Sequence, residues 1–497
     1  MKQNNTGYFG ILILTVMLSA CGGGGGSNIA AGNTSGITTT PLTTALPAAS
    51  SLINLCATPR AGTIDNVGSI DTEKSYLRSF TDETYLWYKD VPKLDPARYL
   101  TPQTYFADLK SNAITASGRL VDEFHWSFEE LAYNQQNAGI EEGYGVKWAF
   151  ANNMPPRGLI VANVESYSPA NGVFLRGDMI QTVDGADFVN GYDVAVLNEG
   201  IFPTKISPHT FEVLRQGKLV KFTISPAVVI TTPVQYTKVV NTPTGKVGYI
   251  YFDEHIAKSE PLLVDAFNKL KSQGATDLVL DLRYNSGGLL YIASQVAYMI
   301  AGSETTKGKA FDKLIYNDKR SKDNIVFPFY SVTSGIAGSA NIALPTLNLK
   351  KVTVLTGHST ASASEAIING LRGVDVEVVL IGDTTRGKPY GFVPQLNCGF
   401  VYYSIQFKGE NNKSFGDYAD GFPATCAVKD DFSNPLGDSL EGQFAAALQY
   451  RATKTCPTPF ALNSVSASLT GIGLGTMDFK LLRSPAKELS IPTEIKK

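Results

Sequence analysis

Hydrophobic and polar positions alternate with a period that changes along the chain, and the changes mark its elements. Residues 352–355 are apolar and β-branched, which predicts a buried strand. Ala366, Ile367, Ile368 and Leu371 then recur at helical spacing. Between them, residues 358–365 are small and hydroxyl-rich, so a strand-to-helix turn is expected there. A second β-branched run, 376–382, predicts another strand. Upstream, 247–252 and 277–282 read as strands, 261–270 as an amphipathic helix and 289–300 as a buried helix. Strands alternating with helices across 246–452 predict an α/β domain built on a core β-sheet.

The pattern differs before residue 246. Over 137–230, short apolar runs at 145–148 and 158–164 alternate with turn residues, and Asp184-Gly185 predicts a hairpin turn. Residues 57–136 read as helical. One helix over 70–87 carries Tyr76, Leu77, Phe80, Tyr85 and Leu86, and a second starts at Thr101-Pro102 and runs through Tyr105, Phe106 and Leu109. Residues 9–18 form an apolar core behind Lys2, too short to cross a bilayer as a helix. Five glycines and then Ser, Thr, Ala and Pro over 22–50 cannot bury a core and read as a flexible tether. Residues 453–497 show weak periodicity, and no repeat is evident. The expected organisation is a leader at 1–20, a linker at 21–55, a helical N-terminal region at 56–136, a β-rich domain with short helices at 137–230, an α/β core at 231–452 and a tail at 453–497.

Composition changes this picture little. With 497 residues, 43% hydrophobic and 18% charged, the chain can bury large cores. A net charge of −2 and the lack of any Lys/Arg-rich run exclude a nucleic-acid partner as an expectation.

The candidate chemistry lies at the strand-to-helix turns. Ser362-x-x-Glu365 is a capping box, which starts the helix at Ser362 and sets that serine beside amides with no helical partner. Such amides can stabilise an oxyanion. The strand at 376–382 delivers residues 384–388 to the same end of the sheet, where Lys388 could act as base if burial lowers its pKa. After the strand at 277–282 comes Asn285-Ser286-Gly287-Gly288, and only glycine lets backbone approach a reacting carbonyl closely.

Thr-Ala-Ser-Ala-Ser-Glu followed by Gly387-Lys388 resembles the serine–lysine site of the C-terminal processing (tail-specific) peptidases. Asp281-Leu282-Arg283-x-Asn285-x-Gly287-Gly288 is a second match, and Trp87-Tyr88 with residues 122–128 resembles the N-terminal region of the same family. The resemblance implies Ser362 as nucleophile, Lys388 as base, and the N–H groups of Gly288 and Ala363 as oxyanion hole. The pattern departs in two places. The serine and lysine are 26 residues apart, one more than the family spacing. The glutamine that family members place four residues after the lysine is Phe392 here, so Gln395 is the expected substitute orienter. His125 reads as a packed histidine. Residues 168–173, 175–180 and 183–185 resemble the PDZ modules of proteases, which take a peptide as an added strand and hold its carboxylate in a backbone loop. Gly143, Tyr144, Gly145 and Val146 would be that loop. Leu18-Ser19-Ala20-Cys21 resembles a bacterial lipobox, which implies a lipoprotein signal peptide and lipidation at Cys21, and Gly22 resembles outer-membrane sorting.

The expected function is therefore a cell-envelope serine endopeptidase, lipid-anchored and facing the periplasm or the exterior. It would act on protein or peptide substrates with no metal or other cofactor. A catalytically inactive PDZ-bearing scaffold, and a peptidase using His358 as base, are the competing readings. His358 precedes Ser362 by only four residues, which aims its imidazole poorly. In an exported chain Cys56, Cys398, Cys426 and Cys456 allow three disulfide pairings, and locality favours Cys398–Cys426 with Cys56–Cys456. Oligomeric state is left open.

Overall fold

The computed structural model describes residues 45–152, 154–457 and 478–481. The leader, Cys21 and most of the linker lie outside these residues. Apart from Ala45 and Leu46, the described residues belong to one compact unit, Pro47–Lys497. Among the described residues no helix is long and apolar enough to cross a membrane.

The chain is a mixed α/β protein with several sheets. Its central sheet runs in the order Tyr236–Thr242, Gly245–Tyr251, Asp277–Asp281, Lys351–Thr356, Glu377–Gly382 and Cys426–Ala427. The first pair is antiparallel and the other neighbours are parallel. Parallel strands need both faces covered, and their side chains show why this sequence supplies that. Leu278, Leu280, Val352 and Val354 enter a core with Ile292, Val296, Ile367 and Leu371 from two helices, Leu290–Ala301 and Ala363–Gly373. Val279, Leu355, Val379 and Ile381 point the other way, onto Phe444 of helix Gly442–Thr453. The sheet thus has no wet face. Its parallel strands all end on one edge, where the loops 282–289, 357–362 and 383–388 meet. That is where open α/β sheets place their sites.

Residues 140–230 form a β-rich module around Trp148, Val161, Ile180, Phe211 and Val213, with helix Val194–Ile201 against it. Asp184 and Gly185, at φ 50° and 83°, make the expected turn between Met179–Val183 and Ala186–Asp187.

The N-terminal region departs from the helical expectation in two places. Helix Ile70–Thr84 stops three residues short of the predicted end, because Tyr85 is extended and its hydroxyl donates to buried Asp122 at 2.5 Å. Trp126–Glu129 is a strand, paired with Phe400–Tyr403, which pairs in turn with Gln395–Asn397. The N-terminal helices and residues 392–405 therefore share one core of Tyr76, Phe106, Phe124, Phe392 and Tyr402.

Among the described residues the four cysteines are paired, but as Cys56–Cys398 and Cys426–Cys456, which corrects the pairing favoured by locality. Cys398 lies in the turn between Gln395–Asn397 and Phe400–Tyr403, away from Cys426 on the edge strand of the central sheet. Residues 54–56 run beside the turn at 397–398, where Asn54 N donates to Asn397 Oδ1, and helix Gly442–Thr453 returns Cys456 to the edge strand that holds Cys426.

Candidate active site

Ser362 stands between strand Lys351–Thr356 and helix Ala363–Gly373 at φ +60°, ψ −118°. A non-glycine residue there carries strain of order 1–3 kcal/mol, held only when its surroundings over-determine it. One of those surroundings is Glu365. Its carboxylate is fully buried and closes the capping box by accepting from Ser362 N at 2.9 Å. The same oxygen, Oε2, accepts from Lys388 N at 2.8 Å, while Oε1 takes Gly387 N at 2.7 Å and the Thr385 hydroxyl at 2.5 Å. Burial pushes the Glu365 carboxyl above its usual range, against the pull of these four donors. One side chain thus ties the serine turn to the lysine loop.

The other surrounding is the glycine turn after strand Asp277–Asp281. A Cβ on Gly287 would lie 2.8 Å from Ser362 Cβ and 2.9 Å from Ala363 N, so backbone passes against the serine only because nothing projects there. Asn285 fixes the turn. Its Oδ1 accepts from Gly287 N at 2.9 Å and from His255 Nδ1 at 3.0 Å, and its amide donates to Phe252 O. Its carbonyl accepts from the Ser364 hydroxyl and from Ala361 N, which docks the glycine turn on the serine turn. With Gly287 N engaged by Asn285 and Leu289 N by His255 O, the amide between them, Gly288, is the one the turn can present to a ligand. Burial holds the His255 imidazole down to about 3, so it is neutral and serves as a strut.

Lys388 is buried, 1% exposed, and its Nζ lies among three ring faces. The centroids of Phe392, Phe124 and Trp126 are 4.4, 4.6 and 5.6 Å away. Phe124 and Trp126 come from the N-terminal region, whose residue between them, His125, faces the opposite side. There His125 stacks on Phe106 and sits 3.4 Å from Asp122, a packed histidine. The N-terminal region also grips the lysine loop from outside. Arg119 donates to Arg386 O at 2.8 Å, and Glu123 pairs with both Arg119 and Arg386.

The structure does not bring Gln395 to the lysine. The Gln395 amide donates to Leu396 O on an exposed edge, and Phe392 fills the place facing Nζ. His358 lies in the turn 357–360, part-exposed. In the β-rich module, Tyr144 is buried with its hydroxyl on Gly200 O at 2.8 Å, and its flanking Gly143 and Gly145 have φ of +150° and +76°. Arg176 of that module reaches the glycine turn. It donates to the Tyr284 hydroxyl at 2.7 Å and pairs with Asp430, which also binds fully buried Arg283. Neither His255 nor the ring cage carries a signal in the linear pattern, whereas Asn285 lies inside the quoted glycine motif.

Residues 246–397 match peptidase family S41, and residues 73–128 match the peptidase S41 N-terminal domain. A carboxyl-terminal-processing protease of a Picosynechococcus species is 29% identical over 229 residues, which cover 44% of this chain and 48% of that protein. The chloroplastic carboxyl-terminal-processing peptidase 1 of Arabidopsis thaliana is 31% identical over 226 residues, 43% of this chain and 40% of that one. The chain thus spans about half the length, or less, of these curated relatives. Among solved structures, a putative S41 protease from Bacteroides fragilis superposes with a TM-score of 0.62 at 24% identity, over 76% of this chain and 97% of that one, which supports the fold. The matched ranges contain Ser362, Lys388 and the glycine turn on one side and Phe124 and Trp126 on the other, and over these two segments the chain resembles peptidase family S41.

Proposed function

We propose that the chain is a serine endopeptidase that cleaves proteins or peptides with a Ser362–Lys388 dyad. The observation that carries this reading is the shared Glu365 oxygen, which fixes the serine turn and the lysine loop together at the mouth of the sheet. Lys388, acting in its neutral form, takes the proton of Ser362 Oγ as that oxygen attacks the scissile carbonyl. The carbonyl oxygen becomes an oxyanion held by Gly288 N–H and Ala363 N–H. Collapse of the tetrahedral intermediate breaks the C–N bond, and the Lys388 ammonium returns its proton to the leaving amine. Water then attacks the acyl-enzyme carbonyl and gives its proton to Lys388; collapse breaks the bond to Ser362 Oγ, the Lys388 ammonium returns the proton to that oxygen, and the product leaves with its new carboxyl group. The three ring faces around Nζ support the ammonium that forms when Lys388 takes the proton.

Recognition belongs to the same proposal. The module at 137–230 takes substrates near their C-termini, with Gly143–Val146 as the carboxylate loop. The motif ending in Cys21 supports a lipid-anchored protein of the bacterial envelope, at the outer membrane. Incubating the purified protein with casein tests the nucleophile. Ser362→Ala should abolish cleavage and keep the fold, while Ser364→Ala, whose hydroxyl only docks on Asn285 O, should be far milder. Comparable turnover by Ser362→Ala would remove Ser362 from the mechanism.

A further inference from the structure

The β-rich module's main sheet ends on a strand from far along the chain. The order is Lys218–Ile224, His209–Arg215, Met179–Val183, Gly158–Val164, Val146–Ala151 and then Lys480–Leu481. Without that last strand, Val146–Ala151 would present an open row of amides and carbonyls, a template for any extended chain. Lys480 pairs with Phe150 and Leu481 with Ala149, antiparallel. Each step forward along the added strand is therefore a step back along Val146–Ala151, toward residues 143–146. An extended peptide in this register points its C-terminal end at the Gly143–Val146 loop.

The side chains define what fits. Phe479 meets the Phe432 ring edge-on at 5.9 Å, and Phe479 and Leu481 pack on Ala149, Ile160 and Phe432. Lys480, between them, is exposed. The edge takes an extended strand with large apolar residues at alternate positions over the seam between the module and the central sheet.

We propose that residues Phe479–Leu481 of this chain are a resident strand on the outer edge of Val146–Ala151, the edge on which the module takes its peptide, and that an incoming strand must displace them. The peptide edge and displacement by substrate rest on the proposed function; the seating of Phe479–Leu481 on that edge does not. A resident seated nine-tenths of the time weakens an incoming strand about tenfold, since only the vacant fraction can bind.

The test is fluorescence anisotropy with a fluorescein-labelled peptide of residues 476–481 bearing a free C-terminal carboxylate. It is carried out on the full chain in the Ser362→Ala background, so that a chain which cleaves nothing still reports binding. Phe479→Asp/Leu481→Asp should bind the probe about tenfold tighter than the parent, because the resident is released. Lys480→Pro, which puts a proline in the ladder and leaves both apolar side chains, should tighten binding in the same direction. Affinity unchanged within about twofold in both variants, or no probe binding to either, would overturn the proposal.

Discussion

The main-chain amides of Ser362 and Lys388 donate to a single atom, Oε2 of Glu365, so two hydrogen bonds tie together the backbones of the proposed nucleophile and base, 26 residues apart in sequence. A carboxylate suits this place because all four groups around it are donors. Glu365→Gln would turn one acceptor into a donor facing N–H groups. A misplacement of about 1 Å costs on the order of 100-fold in rate, and kcat for casein should fall by about that much. The circular dichroism spectrum at low temperature should stay that of the parent. Wild-type kcat in this variant would show that the clamp does not position the dyad.

The ring cage makes a prediction about pH. Each ring face supports an ammonium by about 0.5–2 kcal/mol. Phe392→Leu removes the face nearest Nζ and should lower the plateau of kcat/KM. It should also move the acid limb of the profile to lower pH, because the protonated lysine loses support while the neutral amine does not. Trp126→Phe keeps a ring face and should leave the limb in place. The charged groups beside the lysine loop, Glu365, Glu123 and Arg386, are intact in both variants. A purely structural role for Phe392 would lower the plateau without moving the limb.

Glu165 makes a separate prediction about stability. It is buried where the β-rich module meets residues 232–253, accepts from Thr232 N at 3.1 Å, and lies near the Lys147–Asp253 ion pair. Burial pushes its carboxyl up to about 7. The folded chain therefore holds this proton more tightly than the unfolded chain does. Stability falls as pH rises from the unfolded value of about 4.3 through 7, by on the order of 3–4 kcal/mol. Glu165→Gln should flatten that part of the profile and raise the melting temperature at pH 8. Equal pH dependence of melting in both proteins would show that Glu165 carries no such linkage.

Much of the site was legible in the sequence because its parts are local. The β-branched runs at 277–282, 352–355 and 376–382 became the strands Asp277–Asp281, Lys351–Thr356 and Glu377–Gly382. The Ser-x-x-Glu spacing located the helix start, but not that Glu365 also holds Lys388, since that contact needs a loop from the next strand. The lysine's surroundings were out of reach for the same reason. Two of its three rings arrive from residues 124 and 126 through a strand, Trp126–Glu129, whose short apolar run has no helical or strand period of its own. Gln395 was expected because a glutamine occurs nearby in sequence, whereas the strand Gln395–Asn397 carries it outward. The cysteine pairing missed for the same reason, since the fold sets Cys398 in a hairpin turn beside residues 54–56 and away from Cys426 on the central sheet.

The rate of casein cleavage against pH, in Lys388→Arg and His358→Ala beside the parent, tests the central claim most directly. Arginine stays protonated at any working pH and cannot accept the serine proton. Lys388→Arg should therefore lose at least about 1,000-fold at every pH, as Ser362→Ala does, because a dyad works as a unit. His358→Ala should keep most of the activity and the shape of the profile. A dead His358→Ala with a nearly normal Lys388→Arg would contradict the account and put a histidine in the lysine's place.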